Sequence, residues 1–173
     1  MNTVVPFRRT GLSSHQSARS QTVEWLTPQY VLDQLGEFDL DPCAASAPRP
    51  WSTAKEHIAP PDDGLKAVWH GRVWLNPPYG REVKAWVHKL VRHGRGTMLV
   101  PARTETDWFR LVPNFADGVL FLHGRLYFHR PDGSRGHTNA GAPSCLVAFG
   151  YDDAYRLKYS TLPGWFVPVR GFG

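Results

Sequence analysis

The residues best suited to chemistry in this chain are Asn76-Pro77-Pro78-Tyr79, which follow the apolar run Val73-Trp74-Leu75. Two consecutive prolines hold the backbone extended and supply no N–H, so the nearby carbonyls stay free to accept hydrogen bonds from a ligand. The Asn76 amide donates and accepts through one planar head, and the Tyr79 ring offers a flat face close by. This set suits a weakly nucleophilic planar amine, either an adenine N6 amino group or a carboxamide nitrogen. Acceptors on its hydrogens, namely the Asn76 side-chain oxygen and the Pro77 carbonyl, help move the delocalised lone pair toward attack. They grip harder as positive charge builds on nitrogen, so they favour the transition state over the ground state. Methyl transfer from a sulfonium donor would then require in-line positioning and no metal.

Asp41 is the second candidate. Phe38–Leu40 reads as a short strand running into Asp41-Pro42-Cys43-Ala44, and a carboxylate at a strand's carboxyl edge can hold an ammonium group. The bland reading is an Asp-Pro turn. Asp63, in Asp62-Asp63-Gly64-Leu65, is either an acceptor for an adenine amino group or a surface turn. Thr27 is a natural N-cap with Pro28 at the first helical position, and such a terminus also welcomes a carboxylate. Phosphate-binding loops, nucleophile elbows and Gly-rich dinucleotide turns are missing. His88 and His93 are five apart and would point to different helix faces, so no metal site is expected.

The elements that must position these groups are legible as periodicity. Val31, Leu32 and Leu35 give a short helix ending at Gly36, and Val83, Trp86, Val87, Leu90 and Val91 give a longer one ending at Gly94. Strands are expected at 71–75, 97–100, 118–122, 126–128 and 144–149, with a short helix around 107–111. Residues 46–64, rich in proline, read as mostly loop, 130–142 as loop, and the last twenty as irregular. Strand–helix–strand alternation implies a parallel core, with antiparallel pairing toward the C-terminus. Residues 1–22, rich in Ser, Gln and Arg, read as a flexible basic arm on a single domain spanning 23–173.

The chain has 173 residues and a net charge of +5, enough for one self-sufficient core. Two cysteines cannot build a disulfide framework, and no apolar run approaches a membrane span. A cytoplasmic protein is expected, with no membrane partner. Between Glu24 and Asp63 eight acids meet two bases, whereas between Lys66 and His137 twelve bases meet five acids. That asymmetry suits a cationic small molecule on one side and a polyanion on the other; two solvated faces would look the same. The phosphate-binding candidates along the helix are Arg81, Lys84, Lys89, Arg92 and Arg95.

With these pieces in order, the chain resembles the amino-methyltransferases that use S-adenosylmethionine, and most closely the small phage-type DNA N6-adenine methyltransferases, the phage Dam-like family. The resemblance runs from Trp25 to about Gly150 and rests on W-L-T-P, F-D-L-D-P-C-A, D-G-L-K-A-V-W, V-W-L-N-P-P-Y-G, L-V-P-A-R-T-E-T-D-W-F, G-R-L-Y-F and A-P-S-C-L-V-A-F. It implies a Rossmann-like α/β fold, a mostly parallel sheet with an antiparallel C-terminal part and helices on both faces. It implies S-adenosylmethionine bound by Trp25, Thr27, Pro28, Asp41, Pro42, Cys43, Ala44, Asp63 and Leu65, with Glu56 the candidate for the ribose. Asn76, Pro77, Pro78 and Tyr79 would be catalytic. Arg81, Lys84, Arg103, Thr104, Arg125, Arg130 and Arg135 would face double-stranded DNA, with RNA also open. The target adenine would be flipped from the duplex onto Tyr79. By the same resemblance the protein would work in a bacterial host, phage or prophage encoded, in protection from restriction or in gene regulation. A protein glutamine N-methyltransferase and an idle nucleic-acid-binding module of the same fold are the alternatives. The cofactor loop departs from the larger methyltransferases, reading D-P-C-A-A-S where they have a glycine-rich turn.

Overall fold

Strand β3, Val73–Leu75, is fully buried and shows how the core divides. Successive strand side chains point to opposite faces. Val73 and Leu75 therefore join one apolar cluster, with Leu40, Val87, Leu90 and Met98. Trp74 joins the other, with Val31, Leu35, Leu99, Leu146 and Leu157. The computed structural model describes residues 24–170; the expected N-terminal arm lies outside them.

One seven-stranded sheet runs through the described residues in the order β2-β1-β3-β4-β6-β5-β7. Its other strands are β1 (Leu40–Asp41), β2 (Glu56–His57), β4 (Gly96–Pro101), β5 (Gly118–Leu122), β6 (Ser144–Phe149) and β7 (Gly164–Pro168). Helix α2, Val83–His93, covers the first face with Val83, Trp86, Val87 and Leu90, and stops at Gly94 in the left-handed conformation (φ 76°), where a residue without Cβ is favoured. Helices α1 (Gln29–Asp33) and α4 (Tyr151–Tyr159) cover the second face through Val31, Leu32, Ala154 and Leu157. The expected helix near 107–111 is a 3₁₀ turn, Phe109–Leu111, that continues into α3, Val112–Phe115.

The expectation of a mostly parallel sheet is corrected. The pairs β1–β2, β1–β3 and β3–β4 are parallel but short, whereas β4–β6, β5–β6 and β5–β7 are antiparallel and account for most of the paired residues. The cause is β6, which returns between β4 and β5. Both run opposite to β6, so β1 to β5 all point the same way and their carboxyl ends share one edge of the sheet.

Three local readings also change. Residues 126–128 form no strand; neighbouring His129 makes isolated bridges to Leu26 and Arg135. The proline-rich 46–64 segment contains β2, and the C-terminal stretch contains most of α4 and all of β7. Strand β2 is two residues long and exists through its register with β1, Leu40 to Glu56 and Asp41 to His57. Helix α4 escapes periodicity because a charged residue, Asp153, sits on its buried face. There it accepts hydrogen bonds from Arg72 Nε and Thr97 Oγ1, both at 2.8 Å.

Candidate active site

Asn76 leaves the carboxyl end of β3, and Asp41 ends the adjacent strand β1, which runs in the same direction. The parallel pairing alone thus brings residues 35 positions apart to one edge. Trp25, Thr27, Asp41, Cys43 and Asn76 line a single pocket there. The Asn76 amide nitrogen donates to Thr27 Oγ1 at 3.4 Å, and the Tyr79 hydroxyl donates to Asn76 Oδ1, also at 3.4 Å. Thr27 thereby sets the orientation of the amide, with its nitrogen inward and its oxygen toward the Tyr79 side. Pro77 is buried, while Pro78 and Tyr79 are exposed and Tyr79 keeps 52% of its surface open. A larger concavity lies beyond Thr53, between α1 and residues 52–55, but Asn76 and Asp41 do not line it.

Thr27 was expected to cap the following helix. It does not: Pro28 occupies the cap position, and no side chain among the described residues closes it. Two contacts hold Thr27 in the pocket instead. Leu26 exchanges backbone hydrogen bonds with His129, at 2.8 and 2.9 Å, and the Trp51 indole donates to the Thr27 carbonyl at 3.0 Å.

Asp41 is 3% exposed. Its carboxylate accepts hydrogen bonds from the Thr53 hydroxyl and from the Cys43 backbone N–H. Burial lifts its pKa to about 6, against the opposing pull of those bonds and of the Arg49 charge. Among the described residues it forms no ion pair, so a cationic group entering the pocket would find a partly desolvated carboxylate prepared for it. The Cys43 thiol donates to the Asn76 carbonyl at 3.2 Å. Burial and the Asp41 charge push its pKa well up, which keeps the thiol protonated as a donor.

Pro28, Pro42 and Ala44 are buried alongside the pocket. Asp63 and Leu65 belong to a turn that abuts the Asp41–Ala44 loop: a Cβ on Gly64 would lie 1.8 Å from the Pro42 carbonyl oxygen. The Asp63 carboxylate already accepts from the Leu65 N–H at 2.9 Å and pairs with Lys66 at 3.3 Å. Glu56, the ribose candidate, does not line the pocket and faces His70 at 3.1 Å. Thr53 and Arg49 do line it. Neither carries a motif, and both arrive through the fold of the 45–55 loop.

The sequence profile of the family described as DNA N-6-adenine-methyltransferase (Dam) matches residues 14–160. The chain belongs to this family. It is an adenine-specific DNA methyltransferase by that membership. It has no significant match among curated proteins or among solved structures.

The basic residues of the methyltransferase divide by height on the sheet. Arg81 and Lys84 are exposed between the Asn76–Tyr79 turn and the first turn of α2, at the carboxyl edge. Arg103 and Thr104 follow the end of β4, and Arg125 follows β5, at that same edge. Arg125 donates to the Ala140 carbonyl at 3.2 Å, and Arg135 stacks on Tyr127 with 3.8 Å to the ring centroid. Arg130 and Arg135 flank a tight turn whose Gly133 packs on Pro50 and whose Gly136 packs on Trp25, so it sits at the pocket rim. Three candidates from the helix are corrected. Lys89 Nζ donates to the carbonyls of Gly64, Leu65 and Ala67, which makes it a brace for that turn. Arg92 and Arg95 lie at the far end of α2, before β4 begins. An eleven-residue helix carries them roughly 16 Å from the carboxyl edge.

Among the described residues no helix is long and apolar enough to cross a membrane, and no group of three or more His, Cys, Asp or Glu could hold a metal ion.

Proposed function

We propose that this methyltransferase binds S-adenosylmethionine against the Asp41–Ala44 loop and transfers its methyl group to the N6 of an adenine flipped out of duplex DNA into the Asn76–Tyr79 turn. The observation that carries this reading is the joining of Asn76 to both halves of the pocket, through its amide to Thr27 and through its carbonyl to Cys43. The strand order, with β1 to β5 pointing one way and β6 reversed between β4 and β5, supports the Rossmann-like methyltransferase fold. The donor set fits the cofactor: Asp41 suits its ammonium, and Trp25 and Thr27 adjoin it at the base of α1. When bound, S-adenosylmethionine supplies an electrophilic methyl group on a sulfonium.

The protein's own work is to orient the amine. Tyr79, half-exposed beside Asn76, offers a stacking face to the extruded base. An entering N6 amino group replaces the long Tyr79 hydroxyl contact on Asn76 Oδ1. A second hydrogen bond, to the Pro77 carbonyl, completes the acceptor pair, and both shorten as charge develops on nitrogen. Thr27 keeps Asn76 Oδ1 facing the amine. Basic groups at the carboxyl edge, Arg81, Lys84, Arg103, Arg125, Arg130 and Arg135, meet phosphates, which makes affinity fall with salt.

The test is label transfer from S-adenosylmethionine to unmethylated duplex DNA, read by nucleoside mass spectrometry. Wild type should yield N6-methyladenine, and Asn76→Ala should bind DNA and cofactor yet turn over about 100- to 1,000-fold more slowly. Full activity of that variant would sink the mechanism, and label appearing only in RNA or protein would redirect the substrate.

A further inference from the structure

The loop between β1 and β2 places a second charge in the pocket that no motif announces. Arg49 is half-buried and lines the pocket with Asp41, Thr27 and Asn76. One of its nitrogens, Nη1, donates to the Ala45 carbonyl and so fixes the direction of the guanidinium. Its charge reaches both Asp41 and His57 electrostatically, yet no ion pair joins Arg49 to Asp41 among the described residues. An opposed pair held apart in one concavity is complementary to a ligand carrying both signs at one end.

We propose that Arg49 binds the carboxylate, and Asp41 the ammonium, of the zwitterionic amino-acid end of the methyl donor. The inference rests on the reading that S-adenosylmethionine is that donor. A guanidinium suits the task because it offers several donors in a rigid planar fork and stays charged at any working pH. A DNA phosphate is the competing anion, but the Asp41 carboxylate in the same pocket repels a polyanion and welcomes an α-amino acid. The remaining alternative, a brace for the 45–49 segment, uses only the Nη1 contact among the described residues and leaves the rest of the fork without a role there.

The experiment is calorimetric titration of the full-length protein with S-adenosylmethionine and with its decarboxylated analogue. Wild type should favour the carboxylated ligand by about 10- to 100-fold. Arg49→Gln should lose that preference, binding S-adenosylmethionine about 10- to 100-fold more weakly while the decarboxylated ligand binds as before. Arg49→Lys should recover part of it. Equal weakening toward both ligands would overturn the proposal in favour of a brace. Loss of DNA affinity with cofactor affinity intact would overturn it in favour of a phosphate contact. Binding of neither ligand by wild type would instead overturn the donor itself. A readout without substitution guards against misfolding: S-adenosylmethionine should shield Arg49 from phenylglyoxal in peptide maps and the decarboxylated analogue should not. Equal shielding by both would count against the proposal.

Discussion

The thiol of Cys43 donates to the backbone carbonyl of Asn76 across 3.2 Å. The loop that follows β1 and the turn that follows β3 are therefore one mechanical unit at the edge of the sheet. A hydrogen bond to a backbone carbonyl fixes where the next residue points, so Cys43 bears on the geometry of Asn76 and Pro77 without touching a reacting atom.

Replacing Cys43 with a residue that cannot donate should loosen that unit. Cys43→Ser keeps a donor and is expected to stay within a few-fold of wild-type kcat, whereas Cys43→Ala should lower kcat about tenfold with a smaller change in KM. Steady-state kinetics on both variants checks this; equal kcat in the two would show that the bond does not position the turn. The raised thiol pKa further predicts slow alkylation by iodoacetamide at pH 8 compared with an exposed cysteine.

Asp41 should make stability and cofactor affinity respond to acid in opposite directions. Its folded pKa of about 6 lies above the ordinary 3.8, so the folded state holds the proton more tightly than the unfolded one. The resulting stabilisation is complete below the unfolded value and is lost as pH rises through the folded one. His57, whose pKa is lowered by burial and then by Arg49, works against this on acidification, so wild type is compared with Asp41→Asn. From pH 7 to pH 5 the unliganded wild type should gain about 1 kcal/mol relative to that variant by urea denaturation. Over the same interval its affinity for S-adenosylmethionine should fall about tenfold, because only the carboxylate binds the ammonium. Affinity that does not change with pH would remove Asp41 from that role.

Lysines and arginines of the α2 region should separate into two phenotypes. Arg81→Ala and Lys84→Ala are each expected to reduce the slope of log affinity for DNA against log salt by about 1, with little effect on melting. Lys89→Met should do the reverse, leaving the slope unchanged while costing about 1–3 kcal/mol of stability, because three carbonyls lose one charged donor. A flattened salt slope in Lys89→Met would mean that its ammonium reaches DNA after all.

The Arg72–Asp153 pair ties the residue just before β3 to α4, with both side chains nearly fully buried. Arg72 also donates to the Leu35 and Glu37 carbonyls at 2.8 and 2.9 Å and lies over the Phe38 ring, so it closes the chain end of α1 as well. Asp153→Ala should cost about 3–5 kcal/mol by leaving a buried guanidinium uncompensated. The double variant Arg72→Met with Asp153→Leu should be less destabilised than Asp153→Ala, because it removes both buried charges together. Denaturation curves of the two proteins decide the point, and a double variant weaker than the single one would show that the carbonyl contacts dominate.

Much of this protein is written in local sequence. The Asn76–Tyr79 turn, the apolar stripe of α2 and its glycine stop, and the cores of β4, β5 and β6 follow from residue type and spacing, since burial on one stripe or on both faces leaves a periodic trace. Where the trace is broken, reading fails: Asp153 hides α4, and β2 is too short to have a period. Tertiary structure alone decided the rest. It turned Thr27 from a helix cap into the partner of Asn76, because His129 and Trp51 hold that segment in place. It made Lys89 a brace and set Arg92 and Arg95 at the far edge. It also delivered Thr53 and Arg49 to Asp41. Which side chains converge at a sheet edge depends on strand order and loop path, and those are fixed by contacts between residues far apart in the chain.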